Sequence, residues 1–411
     1  MIFCIDILYR YVFYNFLILH LINYINFLIF NSDYPQHLHD DHSDYPLAPE
    51  RMMIDPEFLS PKQLEMLGVE SPAQVKSSLQ KKLVPNLNSK RKYILHYRNL
   101  QLYMALGMQL TKIHRVLSFY QSPWLKTYID FNTQKRSAAV NDFEKNFFKL
   151  MNNSCFGKTM ENLRMRRKIE VVSSEEILRK RVAKPSFKDF KIINEEFIIV
   201  EHLKSSLKLN RPIFTGVCVL DLSKVLMYDF HYNHMKRLYP GDAARLLFTD
   251  TDSLAYVIKT DDIYKDMLEH KEKYDFSGYA RDHRCYSLEN KKVIGKFKDE
   301  LNGVPLKEFV GLKAKMYSLK YREGGEVVES KRAKGVKKCV IKKRVSHEDY
   351  KQCLFENQTF YRAAHSIRSY NHSIFTIYQN KKALSSFDDK RYILGDGIST
   401  LAHGHYRIEQ N

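Results

Sequence analysis

Separate runs of helical and strand signals predict a mixed α+β protein. Three observations carry the prediction: capped helix starts at Ser60 and Asn141, a β-hairpin pattern over 246–258, and a strand pattern with cations at its edge over 310–319. The composition is that of a packed chain. Of 411 residues 44% are apolar and 13% aromatic, with 27 Tyr and 25 Phe, while Gly (15) and Pro (12) are scarce. This excludes collagen-like, linker-like and low-complexity classes, and the length suits two or three domains.

The first element is an apolar leader. Residues 11–30 (YVFYNFLILHLINYINFLIF) contain no Asp, Glu, Lys or Arg, a run long enough to cross a bilayer. Asn15, His20, Asn23 and Asn26 interrupt it, and Asp6 and Arg10 precede it. Two readings stand: a membrane or signal segment, and a buried or foreign extension over 1–31, with the interruptions favouring the second.

Residues 32–60 (beginning SDYPQHLHDDHSDYPLAPE) read as a polar, Pro-bounded connection. His37, His39 and His42 fall within it and leave a zinc site open, whereas the six cysteines lie at least 14 residues apart and form no CxxC pair. Reduced thiols in an intracellular protein are the expectation. Ser60, Pro61 and Gln63 then spell a capping box, and a further helix is expected over 100–116.

The stretch NDFEKNFFKLMNNSCFG (141–157) is the first with chemistry in it. Asn141 and Glu144 suit a helix start, and Phe143, Phe147, Leu150 and Met151 form a stripe expected to pack. Lys149, Asn153 and Phe156 fall on the other side. A cation, an amide and a flat ring so spaced suit a nucleoside triphosphate; a solvated lysine at the end of an ordinary helix is the plain alternative.

The stretch LLFTDTDSLAYVI (246–258) puts two β-forming runs around an acidic turn. Asp250 and Asp252 are two apart and project to one side of a strand end, where a like-charge pair calls for a hard divalent cation. Such a tip suits two-metal phosphoryl transfer; an acidic turn without function is the alternative.

The charge is uneven. The chain carries a net +19, and residues 291–350 hold 17 basic against 8 acidic residues. The segment KRAKGVKKCVIKKR (331–344) has no acid, which points to phosphate backbones as its partner. Ser346 and Asp349 cap one more helix.

Taken together, K-x-x-x-N-S-x-F-G at 149–157 and F-T-D-T-D-S at 248–253 resemble motifs B and C of family B DNA polymerases. HDDHSDYPLAPERM, FYQSPWLKTYIDFNT, LDLSKVLMYDFHYN, KKVIGKFKDE and EFVGLKAKMYSLK narrow the resemblance to protein-primed polymerases of Maverick/Polinton transposons and their virus-like relatives, from about residue 32 to 405.

The resemblance implies a right-hand polymerase fold: a linker over 32–60, fingers over 61–165, a palm over 166–325 with an insertion near 166–215, and a thumb over 326–411. It implies two Mg2+ ions on Asp250 and Asp252. Lys149, Asn153, Phe156, Gly157 and Arg136 would bind the nucleotide, and Lys315, Tyr317, Lys334, Lys337 and Lys338 the DNA. Primer-template DNA and deoxynucleoside triphosphates are the implied partners, with a terminal-protein primer left open. The compartment is left open between nucleus and virus-like particle.

The motif A aspartate has no convincing copy. Asp40 in D-x-x-S-x-Y-P is a decoy for it, and no exonuclease region is found. The expectation is therefore an N-terminally truncated polymerase of weak or no activity, with a palm edge unpaired unless the leader covers it. An inactive DNA-binding remnant and a membrane-anchored protein are the alternatives.

Overall fold

The computed structural model describes residues 2–4, 24–75, 79–293, 295–370 and 373–408. The architecture is mixed α+β, in two compact units. The first comprises Met1–Phe131, Val217–Arg362 and Asn380–Asn411; the second comprises Asn132–Gly216 and Ala363–Gln379. The first unit thus joins three stretches that lie far apart in the chain.

In the first unit, strands β1 (Ile2–Cys4), β10 (Ala244–Asp250), β11 (Ser253–Ile258) and β12 (Lys298–Asp299) form one sheet, ordered β10-β11-β1-β12. The β10–β11 hairpin is the one read from the sequence. Leu254, Ala255 and Tyr256 root it in the core at 0%, 0% and 1% exposure. The sheet edge expected to lack a partner is filled by β1, whose Phe3 stands opposite Leu254 on one side and Asp299 on the other.

A second sheet, β5-β2-β6, joins β2 (Tyr24–Asp33), β5 (Lys90–His96) and β6 (Gln109–Tyr120). It corrects two expectations. The chain does not break at residue 31: β2 runs through it, and Phe30, fully buried, packs with Leu95, Leu100 and Tyr103. Residues 5–23, most of the apolar run, lie outside the described residues. Among the described residues no helix is long and apolar enough to cross a membrane.

The helix expected over 100–116 ends at Ala105. Gly107 turns the chain at φ 100°, and the remaining residues become β6, paired along the whole of β2 from Tyr120 opposite Tyr24 to Gln109 opposite Asp33. Tertiary pairing overrides local helix preference here. Short pairs β3 (Glu50–Met52) with β4 (Lys82–Val84) and β18 (Tyr392–Ile393) with β19 (Thr400–Leu401) complete the periphery.

The third sheet, β13 (Leu306–Lys313), β14 (Met316–Glu323) and β15 (Glu326–Ala333), replaces the single strand expected over 310–319. The chain reverses between Lys313 and Met316, with Lys315 in the left-handed region at φ 62°. The expected capping boxes at Ser60 with Gln63 and Ser346 with Asp349 are both formed.

In the second unit, β7 (Arg167–Val172), β8 (Phe187–Asn194) and β9 (Phe197–Leu203) form a sheet ordered β7-β9-β8. The Glu175–Val182 helix covers one face through Val172, Leu178, Ile198 and Val200. The hairpin of β16 (Phe360–Tyr370) and β17 (Ser373–Leu384) sends its tip into this unit, where Lys191 donates to the Ser373 hydroxyl.

The Asp142–Thr159 helix also belongs to this unit through its whole length. Its Phe/Leu stripe does not pack as expected, although Met151 is half-buried and Lys149 exposed. Phe143, Phe147 and Leu150 are 79%, 44% and 58% exposed, while Asn152 and Thr159 are buried. The Phe/Leu stripe and the Asn/Thr face each recur at helical spacing, so periodicity does not choose between them.

Candidate functional site

Two tight hairpin tips meet in the first unit. At one, Asp250 pairs with Ser253, and the Asp252 N–H reaches back to the Asp250 carbonyl at 2.5 Å, with Thr251 between them at φ 55°. A positive φ at a β-branched residue is an outlier, and such strain concentrates at functional sites. At the other tip, Lys315 sits at φ 62° and its carbonyl accepts from the Lys334 N–H at 3.1 Å.

The tips are joined by charge. Lys315 Nζ lies 3.2 Å from Asp250 Oδ1, which also accepts from the Thr251 hydroxyl at 3.2 Å. Behind them the rings of Phe248, Phe309 and Tyr317 form a three-way cluster: Phe248 lies 4.5 Å from Tyr317 with planes 21° apart and 5.5 Å from Phe309 with planes 10° apart, and Phe309 and Tyr317 are 6.2 Å apart. Phe248 and Phe309 were not singled out from the sequence. For Phe248 the signal was the F-x-D spacing, which puts a ring and a carboxylate on one face of β10; neither motif includes Phe309.

Beneath the hairpin the Tyr256 hydroxyl is hydrogen-bonded to His231 Nδ1 at 2.9 Å, and His231 stands in a π-helical segment, Phe230–Met235. Burial pushes the His231 imidazole down to about 3 and raises the Tyr256 phenol well above its ordinary value. Both are therefore neutral supports rather than proton carriers at neutral pH.

Asp250 and Asp252 are both half-buried, and Asp250, on the Lys315 side, is 28% exposed. Hard carboxylate oxygens suit Mg2+, which commonly takes one or two protein carboxylates and completes its shell with water and substrate phosphates. The donor set fits the ion on that ground. Among the described residues no group of three or more His, Cys, Asp or Glu is placed to hold a metal.

That finding covers the histidines of 37–42 as well. His39 and His42 are buried in a short helix, His39–His42, against the Tyr34 ring. Asp40 is engaged by the end of the chain: Arg407 lies 2.5 Å from its Oδ1 and the Tyr406 hydroxyl donates to its Oδ2 at 2.9 Å.

The other candidates divide between the two units. Lys334, Lys337 and Lys338 are exposed in the first unit, where the Lys334 backbone is bonded to the Lys315 turn. Lys149 and Gly157, both exposed, and Asn153 and Phe156, both half-buried, lie on the Asp142–Thr159 helix of the second unit, whose start is capped by Asn141 accepting from the Glu144 N–H at 2.8 Å. Arg136, half-buried, stands on the preceding helix, Lys126–Ala138.

No protein-family model matches the chain, and no curated protein does. Among solved structures it is similar to Phi29 DNA polymerase complexed with primer-template DNA and incoming nucleotide substrates, at 14% identity and TM-score 0.47 over 93% of this chain and 54% of that one. The complex of the same polymerase with single-stranded DNA matches at 14% identity and TM-score 0.46 over 93% and 53%. The post-translocation binary complex with primer-template DNA matches at 14% and 0.45 over 88% and 50%. The chain thus spans about half the length of the polymerase chains it matches.

Proposed function

We propose that the chain is a template-directed DNA polymerase of the protein-primed family B type, with Asp250 and Asp252 in its palm. The observation that supports this most is the meeting of the two tips, which brings the acidic motif and the K-x-Y motif to a single place through the Lys315–Asp250 contact. In the reaction the primer 3′-hydroxyl gives up its proton to water, its oxygen bonds to the α-phosphorus of a deoxynucleoside triphosphate, the bond from that phosphorus to the bridging oxygen breaks, and pyrophosphate leaves. Mg2+ on the two aspartates would supply Lewis-acid stabilisation of the charge that develops on phosphate.

Within that reading Lys149 takes the triphosphate, Asn153, Phe156 and Gly157 shape the nucleotide pocket, and Arg136 is a further phosphate contact. Lys315 and Tyr317 hold the primer end, and Lys334, Lys337 and Lys338 contact the duplex backbone. The right-hand division into fingers, palm and thumb belongs to the same proposal, as do the nuclear or virus-like setting and the use of a terminal-protein primer.

A second reading is a DNA-binding polymerase remnant without catalysis. It draws on the Lys315 ammonium, which neutralises Asp250 with no metal required.

Primer extension with all four deoxynucleotides and Mg2+, run beside DNA-binding measurements, separates the two. For the active polymerase, Asp252→Ala lowers the rate by ~10³-fold or more while binding is retained. Binding that falls with salt and no extension by the unaltered chain would establish the remnant.

A further inference from the structure

We infer that Lys315 is an internal counter-ion that holds Asp250 until a divalent cation takes its place, and that this exchange hands the Lys315 ammonium to a DNA phosphate. The inference rests on the polymerase reading above and adds to it a coupling between metal binding and primer binding.

The geometry is that of an exchangeable pair. Lys315 is 53% and Asp250 28% exposed on their side chains, so a hydrated ion can reach the carboxylate without opening the core. A pair this exposed shifts an equilibrium by about fivefold at most, which suits a contact made to be broken. A monovalent ammonium on a single oxygen is also a weaker partner for two neighbouring carboxylates than a dication.

The two backbones need not move. The Lys315 carbonyl is tied to the Lys334 N–H, Asp250 is paired to Ser253, and the cluster of Phe309, Phe248 and Tyr317 keeps the tips in register. Only the flexible lysine stem swings. A phosphate arriving at the Lys315 turn meets a surface that also carries exposed Lys334, Lys337 and Lys338.

The charge balance gives the direction. With Asp250 bare, Lys315 is cancelled by it and adds little to DNA affinity. With a dication on Asp250, the lysine is repelled from the site and free for phosphate. Linkage makes the effect mutual, so DNA also tightens cation binding.

The test uses the full chain and Mn2+ alone, followed by loss of the free-ion electron paramagnetic resonance signal, with circular dichroism verifying that each variant is folded. Lys315→Ala and Lys315→Gln are expected to bind Mn2+ about three- to fivefold more tightly than the unaltered chain, and Asp250→Asn to lose the site. In fluorescence anisotropy at constant ionic strength, Lys315→Ala is expected to change primer-template affinity less than twofold in EDTA and to weaken it about three- to fivefold in Ca2+.

Unchanged Mn2+ affinity in both Lys315 variants, with Asp250→Asn still losing the site, would overturn the counter-ion role and leave the metal-site reading standing. Equal loss of DNA affinity with and without Ca2+ would overturn the exchange. Absence of Mn2+ binding by every form of the chain would overturn both readings.

Discussion

The hairpin that carries Asp250 and Asp252 stands on residues with no access to water, Leu254 and Ala255 at 0% exposure and Tyr256 at 1%. The helix that carries Lys149 turns Phe143, Phe147 and Leu150 outward, at 79%, 44% and 58%, and buries Asn152 instead. The acidic tip is thus positioned by a packed root, whereas Lys149, Asn153, Phe156 and Gly157 stand on a helix whose Phe/Leu stripe faces outward. Buried support makes the first site rigid and sensitive to its core; the second tolerates change on its outer face and depends on its own capping.

The largest test of that contrast is Tyr256→Ala, which removes a buried ring and its bond to His231. A loss of about 3–5 kcal/mol in urea unfolding is expected for the first unit, and a loss below 1 kcal/mol would show that the hairpin is not rooted as described.

Acid comes next. Burial lowers His231 to about 3 and His42, His96 and His234 to about 4, from an ordinary 6.5, and all four belong to the first unit. The unfolded chain takes up protons that these rings refuse when folded. Stability is therefore intact above pH 6.5 and falls as the pH drops towards 4 and then 3, at a slope approaching ~1.4 kcal/mol per pH unit for each histidine. Urea midpoints across pH 7 to 4 measure this, and His231→Gln should flatten the slope by one proton; an unchanged slope in that variant would remove His231 from the account.

On the helix side, Asn141→Ala deletes the cap on the Glu144 N–H and should cost about 1 kcal/mol, read as faster hydrogen exchange in the first helical turn. Smallest of all is Phe143→Ser. Its ring is 79% exposed and, among the described residues, stacks against the outward-facing Phe147, so stability should change by no more than about 0.5 kcal/mol. A loss near that of Tyr256→Ala would mean that the stripe is buried after all, as its sequence pattern suggests.

What was legible in the sequence follows from range. The caps at Ser60, Asn141 and Ser346 are each made within three residues, and the β10–β11 turn closes within four, so local pattern sufficed for them. Asp250 and Asp252 were legible as carboxylates two apart beside a turn, whereas Lys315 and Tyr317 were picked out only by the family resemblance. The helix expected to continue to residue 116 was not, because β6 owes its form to β2, some eighty residues earlier in the chain. Nor was the reversal at Lys313–Met316, since the left-handed conformation falls on a lysine with no glycine to announce it.

By itself, then, the sequence determined the mixed α+β class, the helix starts at Ser60, Asn141 and Ser346, and the acidic hairpin. Only the tertiary structure decided that Ile2–Cys4 enters the sheet between β11 and β12, that the Asn152 face of the helix is the buried one, and that Lys315 stands on Asp250. The physical reason is common to all three. Each is a choice among partners that local spacing leaves equivalent, and the choice is made by which surfaces the remainder of the chain brings near.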